Sequence, residues 1–139
     1  MNWFYLAVIS SVFFGFQMVF IKYIMNRGLN AVLAVTYVFT ITTIILWGYT
    51  FLTEKSLVPD KNIMMLLLFS SVIVAIANIT VFKALDMVSN PGYVRAIGSL
   101  SIVIAFLLSV YIFKLNINPI GIAGIAIIIL GTIVLSMVS

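Results

Sequence analysis

Five stretches of this chain, each about 20 residues long, are apolar enough to cross the hydrocarbon core of a bilayer. A helix rises about 1.5 Å per residue and that core is about 30 Å thick, so a run of this length has a natural span to fill. The stretches run from Trp3 to about Met25, Ala31 to about Leu52, Asn62 to about Leu85, Tyr93 to Phe113, and Ile120 to Val138. Lipid supplies no hydrogen bonds, so each run must satisfy its own backbone, and the α-helix does this within one segment. Composition leaves no alternative solvent. With 65% of residues apolar and 7% charged, there are too few ionisable side chains to clothe a core in a wet surface. The expectation is an all-α, multi-pass protein of the cell (plasma) membrane, with residues 1–139 forming a single domain of five transmembrane helices.

The breaks between the runs carry their own signals. Gly28 in Asn26-Arg27-Gly28 suits a helix C-terminus. Glu54 to Lys61 is charged and reads as an aqueous loop. Val88-Ser89-Asn90-Pro91-Gly92 interrupts the chain with a proline that cannot donate and a glycine that permits a tight turn. Lys114 to Pro119 is a short polar connection, with Pro119 placed to open the last helix. Aromatic residues gather near several ends, among them Trp3, Tyr23, Tyr49, Tyr93 and Tyr111, as rings at headgroup depth would. Met1-Asn2-Trp3 has no basic n-region and the first run is too long for a cleaved signal, so it is expected to stay as a span.

Several classes of function fall away. The net charge of +4 comes without a basic run or an aromatic-basic patch, which argues against nucleic acid as a partner. Cysteine and histidine are absent, which removes disulfides, thiolate chemistry and the commonest zinc ligands. The acids are Glu54, Asp60 and Asp86, no phosphate-binding loop or nucleophile elbow is present, and no base stands ready to pair with them. Neither an enzyme nor a cofactor or metal site is expected. Asn78-Ile79-Thr80 matches the glycosylation sequon but lies inside a span.

Five spans put the two ends on opposite sides, and the basic residues divide almost evenly. Lys55, Lys61 and Lys114 fall on the N-terminal side and Lys22, Arg27, Lys83 and Arg95 on the other. Counted whole, the charges set no orientation and the chain is free to insert both ways, as an antiparallel dimer requires. If Lys22, Lys83 and Arg95 sit within the membrane, Arg27 stands alone and a cytoplasmic N-terminus follows. Both topologies stay open.

Polar side chains inside the runs are the candidates for function. Thr36, Thr40, Thr43, Trp47 and Thr50 recur at helical spacing and share a face, which is either the wall of a pathway or a set of hydroxyls that bond back to carbonyls or glue helices together. Gln17 and Asn78 lie deep in the first and third runs and need protein or water partners, with Ser71 one heptad before Asn78. Arg95, Ser99, Ile102, Phe106 and Ser109 share a face of the fourth. The planar fork of Arg95 suits an anionic substrate group or a lipid phosphate. Lys22 and Lys83 lie near helix ends, where snorkelling competes with ligand binding, and Lys83 can also pair with Asp86. Gln17, Thr40, Trp47, Asn78, Arg95 and Ser99 form the expected substrate-binding set. In the last run Gly121, Gly124 and Gly131 share a face that would let another helix approach closely, as a packing or dimer seam.

The order of these features resembles one EamA-type repeat of the drug/metabolite transporter superfamily, over nearly the whole chain. Gly15 followed by Lys22 is similar to that family's opening helix, and Ala84-Leu85, Ser89-Asn90-Pro91-Gly92 and Ala96 to Val103 are similar to its junction between helices three and four. Gly121 to Gly131 resembles its closing helix. Phe113-Lys114 departs from the pattern, standing where the family usually carries a Gly-Glu pair. The resemblance implies a transporter or exporter of metabolites, amino acids or drugs built from two such repeats in opposite orientation. A single repeat then works as an antiparallel homodimer with substrate between the copies. The related small multidrug-resistance branch couples to protons through a glutamate in its first helix, and the first span here has no carboxylate, so that coupling is not implied. The competing reading is a non-transporting membrane subunit whose polar faces bind a partner protein or lipid.

Overall fold

The computed structural model describes residues 3–53, 58–114, 116 and 118–137. Part of the charged loop after the second span, Glu54 to Leu57, lies outside the described residues, as do Met1, Asn2, Leu115, Ile117, Val138 and Ser139. Among the described residues the regular elements are all helices: α1 (Trp3–Met25), α2 (Ala31–Thr53), α3 (Lys61–Met87), α4 (Pro91–Gly98), α5 (Leu100–Phe113) and α6 (Pro119–Ser136). With α4 and α5 taken as one run, Pro91–Phe113, five are long and apolar enough to cross a membrane.

Short polar side chains start most of these helices. The first N–H groups of a helix have no partner within it, and an Asn or Asp just before the helix supplies one. Asn30 accepts from the Val32 N–H at 2.8 Å, Asp60 from Asn62 at 3.2 Å, Asn90 from Gly92 at 2.9 Å, and Asn118 from Ile120 at 3.0 Å. Pro91 and Pro119 follow two of these caps in the first turn, where a missing N–H does no harm. The α1–α2 turn closes through Gly28, whose φ of +97° is open to glycine and strained for other residues.

The fourth span differs from its expected form as one uninterrupted helix. Ser99 stands between α4 and α5; its N–H donates to the Ala96 carbonyl at 3.1 Å and its hydroxyl donates to the same oxygen at 2.5 Å. The Ile102 N–H then donates to the Ser99 carbonyl at 2.9 Å, one residue short of the α-helical reach. A serine that competes for backbone acceptors, next to Gly98, tightens one turn and breaks the regular ladder.

The chain divides into two compact units, Val19–Ser89 and a second made of Met1–Met18 with Asn90–Ser139. In the Val19–Ser89 unit, α2 packs along α3, and the buried apolar residues are Ile21, Met25, Ala31, Ala34, Val35, Phe82 and Leu85. Leu85 is fully enclosed. The Lys22 ammonium donates to the main-chain carbonyls of Leu85 at 2.9 Å and Asp86 at 3.3 Å, in the last turn of α3. Those carbonyls have no partner further along the helix and form its negative end, so a cation suits them. Lys22 therefore neither snorkels to the headgroups nor stands ready for a ligand; it fastens α1 to the end of α3. Lipid tails are as apolar as leucine, so such a bond matters more to helix association here than burial of apolar area.

In the other unit α4, α5 and α6 pack on one another. α6 turns Gly121, Ile125, Ile128, Ile129, Thr132 and Leu135 inward, with Thr132 buried and its hydroxyl near the Ile128 and Ile129 carbonyls at 2.9 and 2.8 Å. The three glycines do not act alike. Gly121 lies half-buried with a Phe106 ring carbon 4.0 Å from where its Cβ would be, while Gly124 and Gly131 are exposed and have open space at that position. By helical angle the latter two lie on the flank of the inward face.

Candidate functional site

Between α2 and α3, within the Val19–Ser89 unit, lies a cavity of about 380 Å³. Thr36 and Phe39 line it from α2, and Ser70, Ser71 and Asn78 line it from α3 among Val and Leu side chains. Its polar groups have already used hydrogens on their own helices. The Thr36 hydroxyl donates to the Val32 carbonyl at 2.9 Å, Ser71 to Leu67 at 2.8 Å, and the Asn78 amide to Val74 at 2.8 Å. Their oxygens are left as acceptors, and the wall carries no charge. Such a wall binds by shape and by accepting hydrogen bonds from the ligand.

Of the expected set, Asn78 lines this cavity and Thr40 and Trp47 do not. Both are exposed on α2, on the side away from the buried Ala31, Ala34 and Val35. The Thr40 hydroxyl donates to the Thr36 carbonyl at 2.9 Å, and the Trp47 ring lies 5.4 Å from that of Phe51. Thr50 and Thr53 bond back in the same way, to Leu46 and Tyr49. The threonine stripe is thus one face as its spacing predicts, with the Thr36, Thr40 and Thr50 hydroxyls bonded within the helix; Thr36 borders the cavity and Thr40 and Trp47 are exposed. Ser70 had no place in the expected set because the heptad linking Ser71 to Asn78 drew attention to a neighbouring face. The adjacent serine pair in an otherwise apolar run was the available signal.

In the other unit the Arg95 guanidinium lies over the Phe14 ring, 5.0 Å from its centroid. Phe14 is the middle residue of the 23-residue α1. Gln17, one turn further on, lines an open groove along α1 with Leu6, Ile9, Ser10, Phe13 and Phe14. A ring face offsets about 2 kcal/mol of the cost of a desolvated cation. Arg95 is the fifth residue of the Pro91–Phe113 span, so its long side chain reaches the ring from near a helix end, where a charge costs less than the roughly 2.5–3.5 kcal/mol of the helix centre. Ser99 marks the α4–α5 break four residues after Arg95, its hydroxyl engaged with Ala96. Gln17, Arg95 and Ser99 therefore belong to one unit, and Thr40, Trp47 and Asn78 to the other.

The sequence model of the EamA-like transporter family matches residues 1–137. The chain belongs to that family. It is accordingly an integral, multi-pass membrane protein of a transporter family, in contact with the lipid bilayer and with small molecules as the class of substrate. No curated protein and no solved structure matches it.

Proposed function

We propose that the chain moves small metabolites, amino acids or drugs across the plasma membrane by alternating access, working as a pair of antiparallel copies. The observation that carries this reading is the α2–α3 cavity, whose Asn78, Ser71 and Thr36 oxygens offer acceptors inside a membrane span. Paired inverted repeats bind substrate near the midplane between them, and the exposed threonine face with Thr40 and Trp47 gives a second copy a polar surface to meet. Gln17, Arg95 and Ser99 are polar groups of the other unit and stand as separate candidates for substrate contact. Gly124 and Gly131, open on the flank of α6, form the seam on which the copies close.

The test is transport by purified protein in liposomes, over a panel of amino acids, nucleotides and cationic drugs, with and without a proton gradient. Gln17→Ala combined with Asn78→Ala is expected to lower the rate of the transported compound at least tenfold, with assembly intact. An unchanged rate removes these residues from the path.

A further inference from the structure

Arg95 is a cation for which the described residues offer an aromatic ring and no carboxylate. We propose that Arg95 and Gln17 hold the carboxylate of a small organic anion whose apolar body lies along the α1 groove of Leu6, Ile9, Phe13 and Phe14. The assignment deepens the transporter reading and rests on it for the route by which such an anion would reach the site.

Three observations converge on this chemistry. First, the guanidinium lies 5.0 Å from the centroid of Phe14, the middle residue of the 23-residue α1. Arg95 itself lies in the second turn of α4, four residues after Pro91, so a carboxylate and a headgroup phosphate both suit its charge, and the lipid arm of the binding experiment separates them. No hydrogen bond from the guanidinium is made to a described residue, so its N–H donors remain, in the fork that matches a carboxylate. Second, Gln17 follows Phe14 by one turn and lines the same groove, adding a neutral amide donor one turn from the ring that Arg95 covers. Third, the rest of the groove is apolar and aromatic, with Leu6, Ile9 and Phe13 in its wall, and it is exposed. One cation balances one monoanion, which favours a carboxylate over a doubly charged phosphate. An apolar groove favours a branched-chain or aromatic body over a sugar.

Equilibrium binding of labelled phenylacetate and isovalerate to the full chain, reconstituted in phosphatidylcholine vesicles, tests the assignment without relying on transport. At least one probe is expected to bind saturably, with phenylacetamide, which keeps the shape and lacks the charge, failing to compete. Arg95→Gln, which keeps a planar amide and removes the charge, is expected to weaken binding at least tenfold. Arg95→Lys should fall between it and the parent, and Gln17→Ala should weaken binding about three- to tenfold. The melting temperature of each variant in detergent reports whether it has folded, and Arg95→Lys keeps the charge if Arg95→Gln does not fold.

Absence of saturable binding by both probes, equal affinity in folded Arg95→Gln or Arg95→Lys and parent, or equal competition by phenylacetamide would overturn the proposal. A further arm replaces part of the phosphatidylcholine with phosphatidylglycerol. Loss of phenylacetate binding there identifies lipid phosphate as the occupant and also overturns it, whereas unchanged affinity supports a soluble anion. If neither probe binds while the same vesicles transport other compounds, the carboxylate site fails and the transporter reading stands. If a probe binds and no compound is transported, the carboxylate site stands and the transporter reading fails.

Discussion

The Val19–Ser89 unit and the unit made of Met1–Met18 with Asn90–Ser139 are both built from apolar, membrane-length helices, yet they are finished to different degrees. Among the described residues, every buried apolar side chain belongs to the first, where Leu85 is fully enclosed and Lys22 ties α1 to the end of α3. Thr132 is the buried residue of the second, again among the described residues. The second also holds the interrupted helix at Ser99, the two open glycines, and Arg95 with no carboxylate partner among the described residues. In lipid an exposed apolar side chain is no liability, so low burial alone signals nothing. An exposed cation and backbone left bare by glycine do signal something. The first unit reads as the part that holds itself together, and the second carries the groups on which the proposed ligand and dimer contacts rest.

This contrast can be broken most directly at Leu85. Leu85→Ala removes packing from a fully enclosed side chain, and a loss of about 2 kcal/mol is expected, the low end for such a change because lipid softens the transfer contribution. Unfolding in a denaturing detergent series measures it. Ile133→Ala, on the exposed side of α6, should cost well under about 1 kcal/mol in the same assay, and equal losses would erase the distinction between the units.

Lys22→Met keeps the length of the side chain and removes the ammonium. A loss of about 1.5 kcal/mol is expected for a bond to a charged donor that is half-buried. If Lys22 instead snorkels, stability will not change.

The proposed dimer contact of the second unit is sharpened at Gly131. Gly131→Leu fills open space, so the folded chain should change by less than about 0.5 kcal/mol, while cross-linking of copies through an introduced Ala123→Cys should fall severalfold. A fall in folding stability without a change in cross-linking would make the seam internal. The smallest effect is expected at Lys114, which closes α5 with φ 50° and ψ 41°, a left-handed conformation unusual for a side-chain-bearing residue. Lys114→Gly should relieve that strain and raise stability by about 0.5 kcal/mol, read as a small rise in melting temperature.

Much of the fold was legible from the residues. Hydropathy located the membrane-length helices, and Pro91, Pro119 and Gly28 marked their breaks. The turn at Ser99 escaped because a window of about 20 residues averages over a Gly-Ser pair without registering it. The capping asparagines were equally visible as residues, but their role depends on the backbone at the helix start. Among the site candidates, Asn78 lines a cavity with Thr36, Ser70 and Ser71; of the stripe that spacing marks on α2, Thr36 borders it and Thr40 and Trp47 do not. A stripe defines one side of a helix without saying which neighbour that side meets.

Sequence by itself determined that the chain lives in a membrane, how many helices cross it, and which of them carry polar groups that hydrocarbon cannot satisfy. These follow from sums over a segment, because the cost of inserting a helix depends on what it contains far more than on what it touches. Tertiary structure decided the partners. It sent Lys22 to the end of α3, laid Arg95 on Phe14, and separated Gly121 from Gly124 and Gly131. Those outcomes depend on the rotation and axial offset of one helix against another, which are set by the packing of distant segments and are not written in any one of them.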